Sequence, residues 1–235
     1  MLSVEKLSAG YIKGSRVLDE ISLDIGRGEV VALLGRNGMG KSTLLKSIAG
    51  QLKPQSGRIS LGGVEIAGLP SHRIARLGIG YVPQGRDIFS AFSVEENLRM
   101  GVLGKPALSN VLPPWAFEMF PILAERRTQR AGTMSGGQQQ QLAIMRALVG
   151  NPSCLLLDEP SEGIQPSIVH EIGLTLKAFA SERNLTILLV EQNLDLVSIL
   201  ATRALFIENG QIVEGIDDIT RLQADQALAS RYLSV

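Results

Sequence analysis

Short aliphatic runs that stop abruptly on glycine or polar residues set the rhythm of this chain. "EVVALLG" (29–35), "CLLLDE" (154–159) and "TILLVEQ" (186–192) are unbroken apolar stretches, the pattern of parallel strands buried on both faces. "LSVEKLSAGY" and "VLDEISLDI" are further strands, with Gly26-Arg27-Gly28 punctuating the next boundary. "GRISLGGVEIAG" reads as a hairpin turning at Gly62-Gly63, and "ALFIENGQIVEG" as one turning at Asn209-Gly210, a pair suited to a type I′ turn. After "EVVALLG" the spacing of Leu44, Leu45, Ile48 and Leu52 predicts a helix. From "GIGYVPQ" to "CLLLDEP" the pattern is mainly helical: "VEENLRMGVL", a break at Pro113-Pro114, "AFEMFPILAERR" and "SGGQQQQLAIMRALVG". "SIVHEIGLTLKAFASERN" is then a crossover helix between two buried parallel strands.

These elements predict an α/β fold. A nucleotide-binding core occupies about 1–85 and 151–235, preceded by an antiparallel β portion and interrupted by a helical subdomain at about 86–150, all within one domain. Composition narrows the class. At 45% apolar and 20% charged residues the chain is globular. Lys plus Arg equals Asp plus Glu at 23 each, so no global field attracts nucleic acid or an anionic membrane. Cys154, the one cysteine, excludes an internal disulfide framework, reads as a small buried hydrophobe, and suits a reducing compartment. No secretory signal is expected from "MLSVEKLSAGY". No apolar run approaches the roughly 20 residues needed to span a bilayer.

Chemistry concentrates where the apolar runs end. "GRNGMGKS", Gly35 to Ser42, fits G-x-x-x-x-G-K-[ST] between a strand and a helix. Its backbone amides can turn around phosphate, Lys41 can reach the β- and γ-phosphates, and Ser42 can ligate Mg²⁺. "CLLLDEP" delivers Asp158, to hold a Mg²⁺ shell, and Glu159, to orient and polarise water. The competing reading of two adjacent acids is one capping and one solvated residue. In "MSGGQQQQLAIMRALVG", Ser135 is an expected N-cap, and Gly136-Gly137 leave the helix amides open as a second anion site. One chain needs one phosphate loop, so a second phosphate-reading helix suggests that two subunits share nucleotides. The remainder of the Gln138–Gln141 run reads as a polar helix face.

The ordered set "GRNGMGKS", "YVPQ", "MSGGQ", "LLLDEP" and "LLVEQ" resembles an ABC transporter ATP-binding subunit across essentially the whole chain. That resemblance implies a P-loop NTPase core of ABC type that binds ATP and Mg²⁺ and hydrolyses ATP in a head-to-tail dimer. It implies nucleotide contacts from Gly35, Arg36, Asn37, Gly38, Met39, Gly40, Lys41, Ser42 and Thr43. It further implies that Tyr11 stacks on adenine and that Gln84 links the Mg²⁺ site to a membrane partner. Ser135, Gly136, Gly137 and Gln138 would face the γ-phosphate of the opposite subunit. Implied partners are transmembrane permease subunits, a second ATP-binding subunit (a different chain or a second copy) and, indirectly, a periplasmic binding protein, at the cytoplasmic face of the inner membrane. No nucleic acid is implied.

Three positions depart from the pattern. Met134 replaces leucine before "SGGQ", a volume-conserving change; Gln165 replaces aspartate in "EPSEGIQP", removing a charge from the subunit junction; Gln192 replaces the switch histidine after the strand. A glutamine amide can donate to phosphate but cannot become cationic or pass a proton. Gln192 is therefore expected to act as a neutral donor beside Glu159 and Lys41, while Glu191 and Asn193 serve structure. "EGIQPSIV", "SGGQQQQLAI", "VPQGRDIF" and "VEQN" resemble the smaller ATPase of branched-chain amino acid importers, or of importers for urea or short amides. "FPILAERR" leans to the urea type and the ending "SRYLSV" to the amino-acid type, with amino acids ahead.

Other readings are a soluble ABC ATPase acting on nucleic acid and a nucleotide-binding regulator without turnover. The first calls for long heptad arms or a second cassette, and neither is in the sequence. The second is opposed by intact Lys41, Asp158 and Glu159. Phe89 and Phe92, after Gln84, are candidate permease-docking residues that could equally lie in the core.

Overall fold

A computed structural model describes residues 1–12, 14–103 and 111–224, with side chains to 222. Two sheets face each other. The first is antiparallel, in the order β2 (Leu18–Ile25), β1 (Leu2–Ala9), β4 (Ser56–Leu61), β5 (Val64–Glu65). The second has the order β10 (Gln211–Ile216), β9 (Arg203–Glu208), β3 (Val30–Leu34), β8 (Thr186–Val190), β7 (Cys154–Asp158), β6 (Ile79–Val82), parallel throughout except for the β10 edge.

The aliphatic runs are continuous because both faces of this second sheet are covered. Side chains alternate across a strand. Val31, Leu33, Cys154, Leu156, Leu188 and Val190 therefore enter the core shared with the antiparallel sheet and helix α1 (Lys41–Ile48). Val30, Ala32, Leu34, Leu155, Leu157, Ile187 and Leu189 enter the opposite core. That second core is closed by α3 (Val94–Val102), α5 (Gly136–Leu148), α6 (Pro166–Arg183) and α7 (Leu194–Leu200). Helices α2 (Ser71–Arg76), α4 (Pro121–Glu125) and α8 (Thr220–Ala224) complete the set of α-helices among the described residues. Cys154 lies fully inside the first core, where burial pushes its thiol up to about 12, so it packs as a hydrophobe.

Several expected boundaries shift for local reasons. Helix α1 stops at Ile48, and Leu52 packs on the core from beyond it. Gly50 ends the helix in the left-handed region (φ 71°), and a Cβ there would sit 2.5 Å from the Leu69 carbonyl oxygen. "AFEMFPILAERR" splits into a 3₁₀ turn at Pro114–Phe117 and α4, because Pro121 occupies the first helical position. The crossover helix keeps its expected span, opened by Pro166 and closed by left-handed Asn184 (φ 53°). Asn209 (φ 48°) and Gly210 (φ 77°) both adopt the positive φ of a type I′ turn. Helices α2, α7 and α8 were not foreseen; each is under eight residues, too short for periodicity to declare itself.

Candidate functional site: a carboxyl-edge row of polar residues

Parallel order fixes the site. Strands β3, β8, β7 and β6 lie side by side, and each run ends on the same edge, where ligands bind in open parallel sheets. The residues that follow them form a hydrogen-bonded row. Gln192 Nε2, after β8, donates to Asn37 Oδ1, after β3, at 2.8 Å and to Glu159 Oε1, after β7, at 3.0 Å. Gln84 Nε2, after β6, donates to Glu159 Oε2 at 3.4 Å and to Glu162 Oε2 at 3.0 Å. Both oxygens of Glu159 are thus held, and Lys41 Nζ stands 3.5 Å from Oε1.

The loop over this row is built to present amides. Gly40 caps α1 in a left-handed conformation (φ 103°), and a Cβ there would meet Leu18 Cδ2 at 2.8 Å; only glycine brings the helix start this close to β2. Lys41, 4% exposed, donates to the Gly35 and Arg36 carbonyls at 2.6 and 3.0 Å. The carbonyl of Met39 accepts from Gly210 N, and its sulfur accepts from Asn209 N at 3.3 Å, seating the loop on the β9–β10 turn.

The cleft in front of the loop has a volume of about 450 Å³, and its lining includes Tyr11, Asn37, Gly38, Gly40, Lys41 and Ser42. Thr43, Gln84 and Glu159 complete the sequence-predicted part of that lining. Tyr11 is 59% exposed, and its hydroxyl shares a 3.3 Å hydrogen bond with Thr43 Oγ1. Val17 and Glu162 also line the cleft, and the sequence reading missed both. Glu162, three residues after Glu159 in "EPSEG", was legible by spacing; Val17 is brought in only by the antiparallel sheet.

Asp158, buried at the end of β7, receives Ser42 Oγ at 2.9 Å and, from Tyr81 OH, a second donor at 3.3 Å. Burial pushes its carboxyl above the ordinary aspartate range and the Glu159 charge adds to this, against the Ser42 and Tyr81 hydrogen bonds. The Tyr81 phenol is raised too, first by burial and then by Asp158. A hydroxyl and one carboxylate suit a hard ion such as Mg²⁺, which takes oxygen ligands and keeps phosphate and water in its shell. Among the described residues no group of three or more His, Cys, Asp or Glu side chains could hold a metal.

Glu191 has a structural task. The residue is 2% exposed, and its carboxylate accepts the backbone N–H of Ser161, Gln192 and Asn193 at 2.8, 2.8 and 2.9 Å. It therefore pins the turn after Glu159 to the turn that carries Gln192. Burial raises its pKa, opposed by those bonds. Asn193 caps α7 by accepting from Asp195 N and Leu196 N.

The signature segment stands outside this cleft. Ser135, Gly136, Gly137 and Gln138 are absent from its lining. Ser135 caps α5 in a reciprocal box, its Oγ accepting from Gln138 N while Gln138 Oε1 accepts from Ser135 N. Gln140 and Gln141 are buried while Gln138 and Gln139 are half-buried, so only part of the glutamine run is the polar helix face expected of it. Met134 is buried in the core as leucine would be, and Gln165 is exposed at the start of α6 without capping it. Phe89 and Phe92 are 42% and 40% exposed and stacked, with ring centroids 5.3 Å apart, so neither is a core residue. "SRYLSV" lies outside the described residues.

The family described as ABC transporter matches residues 18–162, spanning the phosphate loop, the signature segment and Glu159. The chain belongs to this family of ATP-binding transport proteins. It is 47% identical over 214 residues to the high-affinity branched-chain amino acid transport ATP-binding protein BraG of Pseudomonas aeruginosa, covering 91% of both chains. It is 38% identical to a probable branched-chain amino acid transport ATP-binding protein, LivF, of Archaeoglobus fulgidus, covering 90% of each. A solved nucleotide-free ATP-binding cassette from an ABC transporter superposes with TM-score 0.83 at 27% identity, covering 100% of this chain and 99% of that one.

Proposed function

We propose that this chain is the ATP-hydrolysing subunit of an importer for branched-chain or other hydrophobic amino acids, working in a cassette dimer beneath transmembrane permease subunits. The row Asn37–Gln192–Glu159–Gln84 carries the mechanistic part of this reading. Family membership and the named transport roles of the two amino-acid relatives support the physiological part. No helix among the described residues is long and apolar enough to cross a membrane, so membrane attachment in this reading comes through the permeases at the cytoplasmic face.

Phosphate would take the place of the Gly35 and Arg36 carbonyls as the partner of Lys41, with the loop amides around it. Ser42, Asp158 and Gln84 are the residues that would hold Mg²⁺, which supplies charge neutralisation and orientation of the phosphate oxygens. Glu159 lies where it can orient and polarise an attacking water once Gln84 and Gln192 fix its two oxygens. Gln192 contributes as a neutral donor, without moving a proton. Phosphoryl transfer depends mainly on positioning and electrostatics, so an amide suffices in this role.

Ser135 to Gln138 cannot serve the cleft of their own chain from where they stand, and a second subunit supplies the nucleotide they would read. A groove of about 320 Å³ whose lining includes Tyr81, Asp87, Phe89, Met100 and Arg146 is the proposed permease contact. Co-purification of permease partners, followed by ATPase assay with binding protein and solute, tests the proposal. Branched-chain amino acids should stimulate turnover. Stimulation by urea or short amides instead would move the chain to the other importer class, and enrichment of nucleic acid in place of permeases would reject transport.

A further inference from the structure

Arg86 joins the turn after β6, the turn after Glu159 and the start of α5. Its guanidinium donates to Gln139 Oε1 on α5 at 3.4 Å and to the Glu162 carbonyl at 3.4 Å. It also covers the start of the signature helix: a methyl group on Gly136 would lie 3.1 Å from Arg86 Nη2 and 3.4 Å from Cζ. The same residue follows Gln84 by two positions, and Gln84 donates to the Glu162 carboxylate. Glu162 is therefore gripped twice from one turn, by its side chain through Gln84 and by its backbone through Arg86.

That turn is not relaxed. Arg86 (φ 75°) and Asp87 (φ 47°) both lie in the left-handed region, which non-glycine residues populate at a cost and keep when their surroundings over-determine them. The over-determination comes from Arg146, which donates to the Asp87 carbonyl at 2.8 Å and to the Arg86 carbonyl at 3.3 Å while its guanidinium lies 5.2 Å from the Phe89 ring centre. Nucleotide in the cleft competes for Gln84, the first residue of the turn; a shift there reaches the start of α5 through the Arg86 fork, while Arg146, near the other end of α5, holds the turn by its carbonyls. Arginine suits the task because its planar donors can hold two acceptors in fixed relation.

We infer that Arg86 is a positioning residue that sets the start of α5, Ser135 to Gln139, according to what occupies the nucleotide cleft of its own chain. This rests on the nucleotide-binding reading of the cleft. The test is amide hydrogen exchange on the full chain with and without a magnesium-bound non-hydrolysable ATP analogue, at concentrations where light scattering reports a single chain. In the wild type the analogue should change exchange both at the phosphate loop and at 135–141. In Arg86→Gln and Arg86→Lys the phosphate-loop change and nucleotide affinity should persist, while the change at 135–141 shrinks by about fivefold, the scale of a modest coupling energy.

Retention of the full change at 135–141 in variants that bind nucleotide overturns the inference. So does a wild type that binds nucleotide without responding at 135–141. A wild type that binds no nucleotide overturns the cleft reading and this inference with it. Should both arginine variants lose binding, Gln139→Met, which removes one acceptor, must show the diminished response, and an undiminished one counts against Arg86.

Discussion

Gln192 Nε2 donates to Glu159 Oε1 across 3.0 Å, and the same nitrogen reaches Asn37 Oδ1 at 2.8 Å. A glutamine just after β8 therefore ties Glu159, proposed to orient the attacking water, to Asn37 in the proposed phosphate loop. Glu159 itself sits in the left-handed region (φ 47°) immediately after β7. Both strand order and side-chain bonds hold it there.

Replacing Glu159 by glutamine keeps the side-chain shape and removes the charge proposed to polarise water. Turnover should fall about 10²–10⁴-fold, the usual worth of a positioned acid or base, while nucleotide affinity stays near the wild-type value. Steady-state hydrolysis together with equilibrium nucleotide binding checks this; a variant that hydrolyses normally would remove Glu159 from the chemistry.

Asp158 should trade stability for binding. Its folded-state carboxyl is raised above the unfolded value, mainly by burial, so ionising it costs the folded state stability as pH rises through the window between the two. At neutral pH, Asp158→Asn should raise the thermal midpoint of the nucleotide-free chain, since the amide oxygen can accept from one of the Ser42 and Tyr81 hydroxyls while the amide nitrogen donates to the other. The same variant should lose most of the midpoint gain that Mg-ATP gives the wild type. Thermal scans with and without Mg-ATP measure both effects.

Two capping boxes separate structure from function. Ser93 caps α3 by accepting from Glu96 N, as Ser135 caps α5 by accepting from Gln138 N. Ser93→Ala and Ser135→Ala should each cost about 1 kcal/mol in denaturant unfolding, the usual loss of an N-cap. Only Ser135→Ala should also lower ATP turnover beyond what the stability loss explains, because only that helix start is proposed to face a nucleotide.

Glu95 gives a pH signature away from the cleft. Hydrogen bonds from Arg127 and then Arg99 hold its carboxyl at about 2, below the ordinary 4.5. A depressed folded-state pKa contributes stability that is complete above the unfolded value and is lost as pH falls toward about 2. Between pH 5 and pH 3, Glu95→Gln should lose less stability than the wild type, read as denaturant midpoints at each pH.

Much of this was legible in the chain because the key signals are local. An apolar run that ends on Asp158-Glu159, or on Glu191-Gln192, announces a strand and its carboxyl edge without any knowledge of neighbours. The order β3–β8–β7–β6 is not local, and that order puts Asn37, Gln192, Glu159 and Gln84 in one row. Val17 and Arg86 were missed for the same reason: a valine at a strand entrance and an arginine in a turn carry no signal until the sheet and helix meet them. Gln140 and Gln141, which are buried, read as part of a polar helix face because helical spacing alone does not say which side meets the core.

Hydrolysis by wild type, Gln192→Ala and Gln192→His, measured in whichever assembly sustains wild-type turnover, tests the site most directly. With Glu159 and Asn37 losing their shared donor, Gln192→Ala should lower kcat by about 10- to 100-fold, the loss expected when a positioning contact near the reacting atoms goes. Its KM for ATP should change little, and Gln192→His should retain or exceed wild-type turnover. An alanine variant with unchanged kcat would contradict the role assigned to Gln192.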